Sequence, residues 1–179
     1  MEILLSELIC NKGLPDIRLN GISADSRKIK KGHLFVSLSG SKYEGNDFIS
    51  DALSKGAAAV ITDKPPKKNN VKDLPIFCLG NLRQDLGEYA SRFFGFPSKN
   101  MQIIALTGTN GKTSVTHFLA QAMQERRFSS GLIGSLGYGE PGKLVSADLT
   151  TPDAVRLQGI LRSLYDKGCE HIFLEASSH

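Results

Sequence analysis

Residues 103–126 limit what this chain can fold into more than any other stretch. Ile103-Ile104-Ala105-Leu106-Thr107 is a nearly all-apolar run, the pattern of a strand buried on both faces. It leads directly into Gly108-Thr109-Asn110-Gly111-Lys112-Thr113-Ser114. From about Lys112 to Arg126, the residues Val115, Phe118, Leu119, Ala122 and Met123 recur at i, i+3, i+4, i+7 and i+8, an amphipathic helical stripe. A strand, a Gly-rich turn and a helix in that order form a phosphate site. Gly108 and Gly111 let the backbone curl so that successive N–H groups point inward at a polyphosphate. The helix N-terminus adds partial positive charge. Lys112 is expected to reach the β- and γ-phosphates, and the Thr113 hydroxyl suits Mg²⁺. The general spacing G-x-x-x-x-G-K-[ST] is not met, because Leu106 stands where its first glycine would be, and the shorter T-G-T-N-G-K-T remains. An ordinary strand–helix turn is the competing reading, and Gly-Lys-Thr in this context disfavours it.

Around this core the signals alternate between strand and helix. Leu34–Leu38, Ala59–Thr62 and Pro75–Leu79 read as strands. Asp47 is placed to cap a helix carrying Phe48, Ile49, Ala52 and Leu53, with Gly56 to end it. A second helix is expected from about Leu82 to Phe94, and Asp63 to Asp73 reads as a surface loop. Gly95–Asn100 breaks the pattern as a linker, which places a first domain at residues 1–98 and a second at 99–179. In the second, Gly131–Leu136 and His171–Glu175 are strands and Gly137–Leu149 is irregular. Thr151-Pro152-Asp153 reads as an N-cap, a proline at the first helical position and an acid in the first turn, opening a helix that Gly168 ends. This order implies an α/β fold with a parallel sheet covered by helices.

Composition narrows the partners. The formal net charge of +4 is spread along the chain, with no basic block of the size nucleic acid requires. The cysteines (Cys10, Cys78, Cys169) are far apart and odd in number, so neither a disulfide framework nor a zinc site is implied; Cys78 and Cys169 adjoin apolar runs and are expected to be buried thiols. His33, His117 and His171 do not cluster in sequence. No basic leader precedes the first apolar stretch and no run approaches a bilayer span, so no membrane association and a cytoplasmic location are expected.

T-G-T-N-G-K-T resembles the loop of the Mur ligases and of their relative folylpolyglutamate synthetase. The resemblance continues through Gly21-Ile22-Ser23-Ala24-Asp25-Ser26-Arg27, Gly32-His33-Leu34-Phe35-Val36, Gly40, and Tyr43-Glu44-Gly45-Asn46-Asp47-Phe48-Ile49. These segments are similar to the N-terminal uridine-nucleotide-binding domain of the Mur ligases, which the folate enzymes lack. Thr150-Thr151-Pro152-Asp153 and Leu174-Glu175-Ala176-Ser177-Ser178-His179 look most like the members that add the third residue, the diamino acid. The implied architecture is a small N-terminal α/β uridine-nucleotide-binding domain followed by the start of a P-loop parallel-sheet ATPase domain.

The resemblance also implies roles. Gly108, Thr109, Asn110, Gly111, Lys112, Thr113 and Ser114 would hold the phosphates of ATP. Thr113 and Glu175 would bind Mg²⁺, with Lys112 and Glu175 as the catalytic pair. Glu175 stands at the carboxyl end of a strand, where α/β folds place their ligands; a solvated strand-end acid is the plainer alternative. Thr150, Thr151 and Ser177 would hydrogen-bond the muramoyl-peptide, and Thr151 serves equally as a helix cap. Ala24 and Ser26, with Ser41, Lys42 and Tyr43, would contact the uridine nucleotide. Asp25 and Arg27 suit either that contact or a structural ion pair.

The implied substrates are UDP-MurNAc-L-Ala-D-Glu and a diamino acid, diaminopimelate or lysine, joined by a monomeric enzyme through an acyl phosphate. The family's further metal-binding lysine and its amino-acid-binding domain have no counterpart in these residues. The chain therefore reads as part of a longer ligase, inactive alone and with open sheet edges beyond residue 100. Two other readings are open: a different ligase of the superfamily (the final-dipeptide-adding or a cyanophycin-type enzyme), or a non-catalytic module that binds a uridine-linked precursor.

Overall fold

The computed structural model describes residues 1–40, 44–66, 75–146 and 151–177. They divide into two compact units, Met1–Phe93 and Phe94–His179. In the first unit, β1 (Ile3–Leu4), α1 (Leu5–Ile9) and β2 (Arg18–Leu19) precede β3 (Gly21–Ser23) and β4 (His33–Ser37), and a short 3₁₀ turn leads into α2 (Ile49–Ser54). Then come β5 (Ala59–Thr62), β6 (Ile76–Cys78) and α3 (Leu82–Phe93). β3, β4, β5 and β6 form a parallel sheet in that order.

Residues alternate across a strand, so Phe35 of β4 joins Ile29, Ile49, Ala52 and Val60 in one cluster, while Leu34 and Val36 are buried on the opposite face. Asp47 does not cap α2. It lies inside the 3₁₀ turn Gly45–Phe48, and Phe48 occupies the cap position without a side-chain bond. Cys78 is exposed, contrary to expectation, and β6 is the edge strand of its sheet among the described residues.

The carboxyl ends of β4 and β5 are tied together by side chains. The Asp63 carboxylate accepts from the Ser39 N–H at 3.0 Å and the Ser39 hydroxyl at 3.0 Å, and pairs with Arg83 at 3.4 Å. Arg83 also donates to the Ser39 carbonyl. Asn46 Oδ1 accepts from the hydroxyls of Ser37 (3.0 Å) and Thr62 (2.9 Å), while its amide donates to the carbonyls of Lys64 and Pro65. The segment after β4 is thereby pinned to the segment after β5.

In the second unit, β7 (Gln102–Leu106), α4 (Lys112–Glu125), β8 (Ser130–Gly134), β9 (Gly137–Glu140), β10 (Lys143–Val145), α5 (Ala154–Asp166) and β11 (His171–Glu175) build a sheet of order β10-β9-β8-β11-β7. β8, β11 and β7 are parallel, as the β-α-β pattern implies, and β9 and β10 add an antiparallel hairpin to β8. That hairpin falls where an irregular loop was expected. Its signal is Glu140-Pro141-Gly142-Lys143, proline then a glycine at φ +80°, the residues a tight type II turn requires.

Both faces of the sheet are covered, unevenly. Ile133, Ile160, Leu161, Leu164, Cys169 and Ile172 cluster where α5 packs, and Ala120, Leu132 and Phe173 where α4 packs. α4 turns its small residues, Thr116 and Ala120, toward β8 and β11, and the Ser130 hydroxyl donates to the Ala120 carbonyl at 3.0 Å. Small side chains allow this close approach. The expected stripe therefore faces outward, with Val115, Phe118 and Leu119 at 44%, 67% and 38% exposure. β7 is likewise an edge strand with Ile104 and Ala105 exposed, not buried on both faces. The N-cap of α5 is Asp153, whose Oδ1 accepts from Arg156 N–H at 2.9 Å, so Pro152 precedes the helix and Thr151 is free of the capping role.

Two expectations follow for urea unfolding. Leu164→Ala should lower stability by about 3 kcal/mol, since Leu164 is fully enclosed, whereas Phe118→Ala should change it by less than about 0.5 kcal/mol. A large loss at Phe118 would show that the stripe is buried. For Asp63, burial raises the carboxyl's pKa, but the Ser39 N–H, Ser39 hydroxyl and Arg83 outweigh that and hold it below the ordinary value. Its contribution is therefore complete above the unfolded value and fades as pH falls through the lower folded one. Asp63→Ala should cost about 1–3 kcal/mol at pH 7, and the gap from the parent should narrow as pH drops below about 4.

Candidate functional site

The segment between β7 and α4 bends through Gly108 at φ +143° and Gly111 at φ +80°. Neither position is crowded, so glycine is needed there for backbone conformation alone. Gly111 is the N-cap of α4, and Thr107, Gly108, Thr109, Asn110 and Gly111 are all exposed. The Lys112 ammonium folds back over the bend and donates to the Gly108 carbonyl. Ser114 lies exposed in the first helical turn. The bend, its lysine and the helix start thus form a solvent-facing cradle at the carboxyl end of β7, suited to an anion.

Beside it ends β11, the strand flanked by β7 and β8, with Glu175 opposite Leu106 in register. Glu175 is only 1% exposed. Its carboxylate accepts from the Thr113 hydroxyl at 3.0 Å, the Ser135 hydroxyl at 3.0 Å and the Ser135 N–H at 3.1 Å. The solvated strand-end alternative is thereby excluded. Thr151 donates to the Glu175 carbonyl at 3.2 Å and accepts from the Ser177 N–H at 3.0 Å. So Thr113 and Thr151, from distant parts of the sequence, meet Glu175 and Ser177 at one edge of the sheet. Ser135 belongs with them and was not foreseen. Its position directly after a strand, at the ligand edge, was the available signal.

No lysine or arginine among the described residues forms an ion pair with Glu175, and among them no three His, Cys, Asp or Glu side chains converge as a metal cage. A buried carboxylate without a cation is costly. One carboxylate and one hydroxyl next to an anion cradle match the way Mg²⁺ binds, through few protein oxygens plus phosphates and water. The donor set fits that ion.

In the first unit a cleft of about 790 Å³ opens at the carboxyl ends of β3 and β4, lined by Ala24, Asp25, Ser26, Arg27, Phe35, Val36, Leu38, Gly40, Gly45 and Phe48. Its walls are the segments that Asp63 and Asn46 pin, two further residues not singled out from sequence. Ala24 and Ser26 both line it, and Ser26 is buried. Asp25 and Arg27 form the ion pair, with Arg27 Nε on Oδ1 and Nη2 on Oδ2, each at 2.9 Å. The Arg27 guanidinium holds the Asp25 carboxyl below its usual range against the opposing effect of burial. Ser41, Lys42, Tyr43 and Thr150, with Ser178 and His179, lie outside the described residues. Among the described residues no helix is long and apolar enough to cross a membrane.

Comparison with known proteins agrees with this layout. Residues 18–93 match the Mur ligase family catalytic domain and residues 106–179 the Mur ligase middle domain. The UDP-N-acetylmuramoyl-L-alanyl-D-glutamate–2,6-diaminopimelate ligase of Coxiella burnetii is 40% identical over 94% of this chain and 35% of its own length. The Rhizobium meliloti ligase of the same name is 43% identical over 91% of this chain and 33% of its own. A solved structure of a ligase of that name superposes with TM-score 0.85 at 30% identity, covering all of this chain and 37% of that one. MurF from Acinetobacter baumannii shares the fold at TM-score 0.61 and 20% identity. This chain spans about a third of the length of the curated relatives it matches. With a separate match in each unit and such relatives across nearly all its residues, the chain belongs to the Mur ligase family.

Proposed function

We propose that this chain supplies the nucleotide-handling part of an ATP-dependent ligase that joins a diamino acid, diaminopimelate in the first instance, to UDP-MurNAc-L-Ala-D-Glu in peptidoglycan synthesis. The observation that carries this reading is the meeting of the Gly108–Lys112 cradle with the buried Glu175 carboxylate at one sheet edge. The names borne by the most similar relatives support the choice of substrate and of diamino acid. A cytoplasmic setting follows from those soluble, nucleotide-activated substrates.

ATP supplies the phosphoryl group that makes the substrate's terminal carboxylate an acyl phosphate, open to displacement by an amine, and Mg²⁺ neutralises charge there. The chain's own residues have separate tasks. The N–H groups from Gly108 to Ser114, including those of Thr109, Asn110 and Gly111, orient the phosphates. Lys112 offsets charge on the oxygens farthest from the nucleoside. Thr113 and Glu175 provide the protein oxygens for the cation, the former keeping lone pairs free because its proton faces the carboxylate. Thr151 and Ser177, held together by the bond from the Ser177 N–H to the Thr151 hydroxyl, contact the muramoyl-peptide through their hydroxyl oxygens. In the cleft of the first unit, Ala24 and Ser26 receive the uridine nucleotide, and the ion-paired Asp25 and Arg27 shape its rim.

Separate binding measurements on the two units test this. Calorimetry with Mg²⁺-ATP should show at least a tenfold loss for Lys112→Ala, about 1.4 kcal/mol, with the affinity for UDP-MurNAc-L-Ala-D-Glu unchanged. Ala24→Trp, which fills the cleft, should do the reverse. Unaltered ATP affinity in the lysine variant would remove the proposed phosphate role.

A further inference from the structure

We infer that Gly134 and Ser135, at the end of β8, form a seat that fixes the Glu175 carboxylate for the divalent cation, with Ser135 acting as a positioning residue. This rests on the reading of Glu175 as the cation's carboxylate ligand and adds residues to which no metal role has so far been given.

Among the described residues Ser135 supplies two of the three hydrogen bonds to that carboxylate, and they go to different oxygens. Its N–H donates to Oε1 at 3.1 Å and its hydroxyl to Oε2 at 3.0 Å. Two donors from one residue, aimed at both oxygens, set the plane of the carboxylate and not merely its location. Thr113 provides the third bond, also to Oε2. An ionised carboxylate has about four acceptor sites, so three bonds leave room for a cation. Oε1, with a single donor among the described residues, is the less encumbered oxygen.

Gly134 makes the seat possible. A Cβ at this position would stand 2.1 Å from Glu175 Oε1 and 2.5 Å from Cδ. The carboxylate thus lies directly against the backbone where any other residue would place a side chain. The seat is also stiff. Gly134 pairs with Gly137 in the β8–β9 ladder, leaving Ser135 and Leu136 as the two residues of a tight hairpin turn. Leu136 points to solvent at 62% exposure, and Ser135, itself exposed, directs its N–H and hydroxyl to Glu175. An acid held this way is pre-aimed, so binding a cation requires little reordering.

The test is ATP affinity of the full 179-residue chain, measured by calorimetry at saturating Mg²⁺ and again in EDTA. The ratio of the two affinities is the readout, because a general weakening of the fold would lower both together. Ser135→Ala should reduce the Mg²⁺-dependent gain by about tenfold, the effect typical of losing a partner of a metal ligand, and leave the EDTA value unchanged. Ser135→Thr, which keeps the hydroxyl, should retain the gain. Gly134→Ala should reduce it at least as much as Ser135→Ala. If Gly134→Ala fails to fold, the two serine variants decide. An unchanged gain in Ser135→Ala, with the gain abolished in Glu175→Gln, would overturn the seat while sparing Glu175. An unchanged gain in Glu175→Gln would overturn both.

Discussion

A carboxylate sealed from water, with no lysine or arginine among the described residues paired to it, is the constraint around which the second unit is arranged. Glu175 reaches this state because β11 is the strand flanked by β7 and β8, so its end is enclosed from both sides. Burial of an ion is tolerable only when hydrogen bonds replace its hydration. Here Thr113 comes from the helix after β7, and Ser135 from the turn after β8. The three parallel strands thus converge chemically as well as spatially. Thr113 is the link that matters most. It belongs to the phosphate cradle through its backbone and to the acid through its hydroxyl, so the anion site and the cation site share one residue.

The first unit meets a different demand. Its cleft is bounded by connections that would wander if left alone, since loop backbone has no ladder to hold it. Asn46 and Asp63 take over that task with side-chain bonds to backbone and hydroxyl groups. The Asp25–Arg27 pair is a weaker element. Arg27 is 85% exposed, and an exposed pair contributes at most about 1 kcal/mol. Its use lies in keeping the rim charged and ordered, not in stability.

Much of the α/β plan was legible in the sequence, and its misreadings have particular physical causes. Apolar runs bounded by turn residues identified β4, β5, β7 and β11 to within a residue or so. Helical period correctly marked α4 as a helix with two faces. It misassigned the inner one, because close packing on β8 and β11 favours Thr116 and Ala120 over bulky side chains. Periodicity reports that a helix has faces; which one meets the sheet depends on how near the helix must come. Similarly, Thr151 looked like a cap because hydroxyl, proline and acid follow in order, yet Asp153 caps equally well and leaves Thr151 to join β11. The β9–β10 hairpin escaped notice since glycines at 137 and 139 dilute the strand alternation.

Glycine illustrates why some of the site could not be read one residue at a time. At positions 108 and 111 nothing would obstruct a side chain, and the requirement is a backbone angle that other residues resist. Position 134 has no such angle; there the requirement is space for an atom arriving from residue 175. The first kind is encoded locally, beside a lysine and a threonine that reveal its purpose. The second depends on Glu175, 41 positions after Gly134, and only folding discloses it. A phosphate loop can therefore be recognised from a short string. The seat that aligns its neighbouring acid belongs to the geometry of the sheet, where two strands end side by side and one of them lacks a side chain.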